Sequence, residues 1–198
     1  MGLKIEYLED QTPLDEDEKA GLLIATITTR GELDEFEQLN IQKAVEWTLK
    51  HRWTANIIFT EDFLMKLHTK MYGDVWNWAG SFRKTDKNIG VPYYKIGPDL
   101  KYLLGDILYW LEHNTYTPNE IAIRFKHRIV AIQCFPNGNG RHSRLIADII
   151  IEHVFKQNVY TWGSSTLIKA DEMRKSYITA LRAADNGDIK PLVEFAQS

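Results

Sequence analysis

The dominant pattern along the chain is an apolar residue at every third or fourth position, which is the period of an α-helix. Two stretches show this spacing clearly. One runs through Leu100, Leu103, Leu104, Ile107, Leu108 and Leu111. The other runs through Leu64, Leu67, His68, Met71, Tyr72 and Val75. Each stretch predicts an amphipathic helix that buries one face against the rest of the molecule.

Further helices are indicated in the second half of the chain. Thr117-Pro118-Asn119-Glu120 is typical of a helix start, with a threonine cap, proline in the first turn and glutamate three residues after the cap. The helix that it opens carries Ile121, Phe125, Ile129 and Ile132 on one face. Residues 141–156 are apolar on most sides and predict a central, buried helix. Another helix is marked by Met173, Tyr177, Ala180 and Leu181, and a short one follows Pro191.

The stretch from Gly80 to Ile96 has a different pattern. Aromatic and β-branched residues stand on both sides of the turn-like segment from Asp86 to Gly90, which predicts a small β-hairpin. One tyrosine of the pair Tyr93-Tyr94 is expected in the core. The sequence thus predicts an all-α domain with one small β-hairpin. Residues 1–55 are expected to form an N-terminal arm that packs on a core of residues 56–198.

Composition narrows the class of protein. The chain has 198 residues, of which 44% are hydrophobic and 26% charged, so a disordered or fibrous protein is excluded and one domain is expected. Its net charge of −3 disfavours direct binding to nucleic acid. The single cysteine, Cys134, cannot form an internal disulfide and favours a reducing compartment. Because the N-terminus lacks a signal-peptide core and no apolar run approaches ~20 residues, we expect a soluble, cytoplasmic protein.

The segment from Gln133 to Arg144 carries the candidate chemistry. It lies between two strongly apolar helices and has two glycines around an asparagine. Such glycines let backbone amides turn toward an anion, and the free N–H groups at the start of the following helix favour phosphate. Arg141 and Arg144 are three residues apart and can reach the same side of that helix. This spacing predicts a di- or triphosphate site, and a tight turn with two solvated arginines is the competing interpretation.

The same segment resembles the Fic motif, H-x-F-x-[D/E]-G-N-G-R-x-x-R. The matching positions are Phe135, Gly138, Asn139, Gly140, Arg141 and Arg144. The resemblance implies a helical domain with a hairpin flap that transfers AMP from ATP to a hydroxyl group of a target protein. It also implies that the nucleotide is bound by Asn137, Gly138, Asn139, Gly140, Arg141 and Arg144. The target segment would dock on the flap between Gly80 and Ile96 by strand addition.

Two positions depart from the Fic motif. Gln133 stands where the family has its catalytic histidine, and glutamine has no titratable group with which to act as a general base. Asn137 stands at the acidic position that binds Mg²⁺ in the family, and a neutral amide oxygen holds a hard cation more weakly than a carboxylate. Surface or packing roles are favoured over catalysis for His127 and His142. Cys134 is interpreted as a small buried residue.

Thr28 and Glu32 resemble the Fic inhibitory motif, [S/T]-x-x-x-E-[G/N], with Leu33 departing at its last position. The resemblance implies that Glu32 pairs with Arg144 and takes the guanidinium that a terminal phosphate would use. The segment from Thr29 to Glu32 also has the spacing of a capping box, which would start a helix. Both interpretations stay open, because a cap also fixes where the carboxylate points.

The leading hypothesis is therefore an autoinhibited, Fic-type nucleotide-binding protein whose turnover is impaired by Gln133. One alternative is a slow enzyme in which Gln133 positions the acceptor hydroxyl. Another is a catalytically inactive module that senses nucleotide or docks a partner protein. The segments Pro136–His142 and Thr28–Asn40 are similar to the Fic subgroup called mobile mystery protein B, which implies a DNA-binding partner protein. The target, the transferred group and the formation of homo-oligomers are left open by the sequence.

Overall fold

The computed structural model describes residues 14–164 and 170–198. Within these ranges the chain is mainly helical, and its α-helices are α1 Glu16–Lys19, α2 Arg30–Leu49, α3 Ala55–Ile58, α4 Glu61–Tyr72, α5 Ile96–His113, α6 Pro118–Ile132, α7 Asn139–Ile149, α8 Ala170–Asp185 and α9 Lys190–Gln197. A 3₁₀ turn at Tyr93–Lys95 precedes α5, and a π-helical turn at Ile150–Val154 follows α7. No helix in the described ranges is long and apolar enough to cross a membrane.

Helix α6 lies at the centre of the molecule, between α5 and α7, and also contacts α9. Its predicted apolar face is buried, together with three further residues. The buried set is Ile121, Ala122, Ile123, Phe125, Lys126, Ile129 and Ile132. The predicted start is confirmed, because the hydroxyl of Thr117 accepts the N–H of Glu120 at 3.4 Å and the carboxylate of Glu120 accepts the N–H of Thr117 at 3.2 Å. A reciprocal cap of this kind fixes the first turn.

The other periodic stretches also form helices. The leucine-rich stretch forms α5, and the stretch from Leu64 to Tyr72 forms α4 with all of its predicted positions buried. Val75 is buried too but lies beyond the end of α4. The apolar stretch after Arg141 forms α7 and then widens into the π-helical turn, which the sequence did not predict. The helices expected around Tyr177 and after Pro191 are α8 and α9.

Helix α2 packs along α4 and connects the N-terminal region to the rest of the fold. Its buried face is largely polar: Asn40 donates to the carbonyl of Lys70 at 3.1 Å and accepts the N–H of Asp74 at 2.9 Å. The carboxylate of Glu37 accepts the indole N–H of Trp76 at 2.7 Å. Part of the predicted N-terminal arm, residues 1–13, lies outside the described residues. The division at residue 55 stays a prediction.

The predicted β-hairpin between Gly80 and Ile96 is wrong. This segment contains no strand, and two of its backbone N–H groups bond to carbonyls at the end of α6. Arg83 donates its N–H to the carbonyl of Cys134 at 3.0 Å, and Val91 donates to Ile132 at 3.4 Å. The expectation that one of Tyr93 and Tyr94 is in the core is also wrong, because their exposed fractions are 47% and 65%. The aromatic and β-branched pattern between Gly80 and Ile96 therefore reflects contact with the end of α6 and not pairing with a second strand.

Candidate functional site

The turn between α6 and α7 is held from inside by its own side chains. Asn139 accepts the N–H of Phe135 at 2.9 Å and donates to the carbonyl of Phe135 at 2.8 Å, so its amide closes the turn at both ends. Gly138 adopts a left-handed conformation with φ of 76°, and a β-carbon there would lie 2.5 Å from the ring of Tyr72. Glycine is therefore required at position 138, where both the dihedral angle and the close approach exclude a side chain.

Two buried histidines support this turn from below. The Nδ1 atom of His68 accepts the N–H of Gly80 at 3.0 Å, so its Nε2 atom carries the proton and donates to the carbonyl of Asn137 at 3.0 Å. His142 lies with its Nε2 atom 3.1 Å from the carbonyl of Leu64. Burial lowers the pKa of His142 to about 4 and lowers the pKa of His68 well below its usual value. Both rings are therefore neutral at pH 7 and act as packing residues, as the sequence favoured for His142.

The N-terminus of α7 faces the turn with its first N–H groups uncapped by any side chain. Its N-cap residue is Gly138, which offers no side-chain oxygen. A β-carbon placed on Gly140 would meet no atom within 4 Å, so the backbone at this position borders open space. Uncapped N–H groups and the positive end of the helix dipole together favour an anion. The predicted backbone residues of the phosphate site, Gly138 to Gly140, thus lie at a helix start that can accept one.

Arg141 is bound to a carboxylate from the N-terminal region. Its Nη2 atom lies 2.5 Å from Glu37, which is only 4% exposed, and its guanidinium lies 5.2 Å from the centre of the Tyr72 ring. The other oxygen of Glu37 accepts the N–H of Trp76. Because a charge-assisted bond to a buried carboxylate is strong, Arg141 is fixed against α2 and α4.

Arg144 lies against a different set of neighbours. Its guanidinium is 4.3 Å from the centre of the Tyr177 ring and 5.7 Å from the ring of Trp162. Its Nε atom is buried and has no hydrogen-bond partner within the described residues. The prediction that both arginines reach the same side of α7 therefore does not match their contacts. Arg141 contacts α2 and α4, and Arg144 contacts α8 and the segment before it.

Glu32 does not form the ion pair with Arg144 that the resemblance implied. Its carboxylate accepts the N–H groups of Thr28 at 2.8 Å and Thr29 at 3.0 Å, and its own N–H bonds to the hydroxyl of Thr29 at 3.2 Å. The hydrogen bonds from Thr28 and Thr29 lower the pKa of Glu32. The capping box of α2 is thus present, and it uses the carboxylate that an inhibitory contact would need.

Gln133 ends α6 in a left-handed conformation, with φ of 55° and ψ of 63°. Its side-chain Nε2 atom donates to the carbonyl of Val130 at 2.9 Å, which turns the amide back along the helix. The neighbouring thiol of Cys134 is buried, and burial raises its pKa to about 12. A thiol with this pKa is not a nucleophile at neutral pH, in agreement with its interpretation as a packing residue.

Arg83 is a structural link that sequence analysis did not single out. Its buried side chain donates to the carbonyls of Gln133 at 2.6 Å, Thr85 at 2.8 Å and Ile132 at 3.3 Å, and also to Val91. The carbonyls at the end of a helix lack partners within the helix, and a cation satisfies them well. One arginine therefore fastens the segment 85–91 to the end of α6, where Gln133 is placed.

The residues at the turn do not form a protein-held magnesium site. The side-chain oxygen of Asn137 accepts the N–H of Gly138 at 2.6 Å, and the carbonyl of Asn137 is bonded by His68. Within the described residues no group of three histidine, cysteine or acidic side chains could hold a metal ion. Mg²⁺ requires oxygen ligands in strict octahedral geometry, and this turn supplies no carboxylate.

Residues 58–151 match the family model described as the Fic/DOC family. This range covers α4 to α7 and contains the turn with its two arginines. These residues form a Fic/DOC-family domain. The chain is also similar to "Protein adenylyltransferase Fic" of Drosophila grimshawi, with 30% identity over 137 residues, which is 67% of this chain and 26% of that protein. The chain spans about a quarter of the length of the curated relatives that it matches.

Solved Fic structures share the fold. The BepC protein of Bartonella tribocorum with bound AMPPNP aligns with a TM-score of 0.66 and 17% identity, over 92% of this chain and 97% of that chain. The N-terminal Fic domain of a putative cell filamentation protein of Bartonella quintana, with bound ADP, aligns with a TM-score of 0.63 and 18% identity, over 87% and 86%. The predicted all-α fold of the Fic type is confirmed, apart from the hairpin.

Proposed function

We propose that the chain binds ATP at the N-terminus of α7 and is a Fic-type relative of protein adenylyltransferases with impaired turnover. The observation that carries this proposal is the uncapped helix start beside Gly140, where the backbone borders open space. The names of the relatives and the AMPPNP and ADP bound to two Fic structures support it. Arg144 forms no ion pair among the described residues, although its charge acts on Asp148, and it is the cation that a terminal phosphate would meet.

Impaired turnover follows from the side chain at position 133. In the family motif this position carries the general base, and a glutamine cannot take the proton of an acceptor hydroxyl. The amide of Gln133 is also turned toward Val130. A target protein would dock beside it, along the segment 85–91 that Arg83 fastens to the end of α6. No step of this proposal uses a protein-bound Mg²⁺, since the turn supplies no carboxylate to hold one.

The second candidate function is a catalytically inactive module that senses nucleotide or docks a partner protein. The orientation of Gln133 favours it. The subgroup resemblance around Thr28–Asn40 adds a DNA-binding protein as one such partner. The two candidates share the nucleotide site and differ in whether any AMP is transferred.

The binding step is tested with a pair of glycine variants. Gly140→Ala puts a methyl group at the open helix start, and Gly105→Ala puts one on α5, where the β-carbon position is equally open. Both should raise the free energy of unfolding by up to about 1 kcal/mol, because alanine favours helix over glycine. Only Gly140→Ala should weaken ATP binding, by roughly 10-fold in calorimetry. Equal ATP affinity of the two variants would show that the start of α7 is not part of the ATP site.

The catalytic step is tested by restoring the base. Gln133→His combined with Glu32→Gly should transfer labelled AMP, to itself or to a surrogate protein, at least ~10²-fold faster than Glu32→Gly alone. Histidine tolerates the left-handed conformation of position 133 better than most residues. A double variant that binds ATP but transfers no AMP would favour the catalytically inactive module. Activity of Glu32→Gly that is lost in Glu32→Gly with Gln133→Ala would instead make Gln133 a working catalytic residue.

A further inference from the structure

Helix α6 carries a lysine in the middle of its buried face. Lys126 is 0% exposed and follows Phe125 directly, among the apolar residues that pack α6 into the core. A buried ammonium group loses its hydration, so a lysine here needs a specific partner. Its Nζ atom donates to the hydroxyl of Tyr177 on α8 at 2.5 Å and lies 4.6 Å from the centre of that ring.

The same tyrosine ring also carries Arg144. The guanidinium of Arg144 lies 4.3 Å from the centre of the Tyr177 ring, so two cations from two helices share one aromatic residue. No ion pair among the described side chains includes either cation. Tyr177 therefore connects the buried lysine to the arginine that the proposed function places at the terminal phosphates. An aromatic face attracts a cation and also restricts the plane in which a guanidinium lies.

We propose that Lys126 is a positioning residue of the nucleotide site, which holds Tyr177 so that the ring of Tyr177 orients Arg144 for a terminal phosphate. The inference rests on the proposed function and adds to it a residue outside the Fic motif. Lys126 does not touch the nucleotide. It acts through the tyrosine hydroxyl, and its positive charge also raises the local potential beside Arg144.

The charges that face Lys126 predict a link between nucleotide binding and protonation. The pKa of Lys126 is lowered to about 7, chiefly by burial and also by the charge of Arg144 on α7, while the charge of Asp185 on α8 acts to raise it. The hydroxyl of Tyr177 has a pKa that burial raises, so it stays neutral. His127 bonds Asp185 at 2.7 Å. A phosphate on Arg144 offsets the repulsion between the two cations, so ATP binding should favour the protonated lysine.

The test compares ATP and AMP affinities of five proteins: the natural chain, Lys126→Met, Tyr177→Phe, the double variant of these two and Arg128→Met. The last variant is the matched control, because Arg128 is on the same helix but pairs with Asp106 on α5. Lys126→Met and Tyr177→Phe should each weaken ATP binding roughly 3- to 10-fold and AMP binding less than about 2-fold. The combined loss should be smaller than the sum of the two single losses, since both variants break the same hydrogen bond. Thermal unfolding checks that each variant folds. If Lys126→Met does not fold, the comparison of Tyr177→Phe with the natural chain still tests the proposal.

The pH dependence gives a readout that a packing role would not produce. Between pH 6 and 9 the ATP affinity of the natural chain should fall as Lys126 loses its proton, and the fall should be shallower in Lys126→Met. If the natural chain binds ATP and both variants match Arg128→Met in affinity and pH profile, Lys126 is not a positioning residue while the proposed function stands. If the natural chain does not bind ATP at millimolar concentration, the proposed function is wrong and this inference fails with it.

Discussion

The two sides of α7 differ in the neighbours that surround the arginine on each side. On one side Arg141 is bound by the buried carboxylate of Glu37, which also accepts the indole N–H of Trp76. On the other side Arg144 lies on aromatic rings, beside a second cation and with an unsatisfied Nε atom. We therefore expect Arg141 to hold helices together and Arg144 to be the arginine that is available to a ligand.

The same contrast appears in the groups that titrate. On the Arg144 side burial raises the pKa of Asp148 to about 7 and lowers the pKa of Lys126 to about 7, so both change charge near neutral pH. Asp148 accepts the N–H groups of Tyr160 at 3.2 Å and Trp162 at 3.1 Å. On the Arg141 side the ion pair is already formed. We therefore expect pH and ligand binding to change the charges on the Arg144 side of α7. On the Arg141 side we expect stability to change chiefly when a residue of the ion pair is mutated.

The largest effect on stability should come from removing the carboxylate that pairs with Arg141. Glu37→Ala leaves the buried indole N–H of Trp76 and the charge of Arg141 without their acceptor. Because Arg141 is partly exposed, we expect the free energy of unfolding to fall by about 2–4 kcal/mol, below the full cost for a fully buried pair. Chemical denaturation measures this, with Glu35→Ala on the exposed side of α2 as the control. A loss equal to that of Glu35→Ala would mean that Arg141 is as free as Arg144.

A smaller effect is expected from Asp148 on the uncompensated side. In the unfolded chain an aspartate has a pKa of ~3.9, so between about pH 4 and 7 the folded state holds more protons than the unfolded state. Stability should therefore fall as pH rises through this window and level off above it. Asp148→Asn keeps an oxygen for Tyr160 and Trp162 but cannot ionise. Between pH 5 and pH 8 it should gain about 1–3 kcal/mol of stability relative to the natural chain.

Urea unfolding of both proteins at several pH values measures the difference. The opposite result, a variant that loses stability relative to the natural chain as pH rises from 5 to 8, would show that the folded state favours ionised Asp148 and that its charge supports Arg144. The two sides of α7 would then be alike, and the contrast drawn from the structure would be wrong.

The sequence predicted the parts of this fold that depend on neighbours close along the chain. The helices α4 to α7 follow from apolar spacing, and the start of α6 follows from the cap at Thr117. The segment 80–96 was interpreted wrongly because its partners lie far away: the side chain of Arg83 bonds residues about 50 positions later. A strand-like pattern of aromatic residues does not distinguish pairing with a strand from packing on a helix end.

In the candidate site, too, only features that depend on neighbours close along the chain were predicted. Gly138 to Gly140 were predicted because the motif is continuous, and they lie at the start of α7. Glu37 lies 104 residues from Arg141, and His68 lies 69 residues from Asn137, so neither contact leaves a local pattern. A weaker signal did exist for Lys126, which is a charged residue beside the predicted apolar face of its helix, where a charge needs a partner. Glu37 had none, because the buried face of α2 is largely polar.

The smallest expected effect concerns Glu32, and it decides whether Arg144 has a carboxylate partner at any stage. In the structure this carboxylate caps α2 through Thr28 and Thr29. If capping is its whole role, Glu32→Gly should lower the free energy of unfolding by about 1 kcal/mol and leave ATP affinity unchanged. Glu120→Gly, which removes the equivalent carboxylate of the capping box of α6, is the matched control for stability. A gain in ATP affinity in Glu32→Gly alone would show that Glu32 leaves its cap to hold Arg144, so that both arginines of α7 are restrained by acidic residues of the N-terminal region.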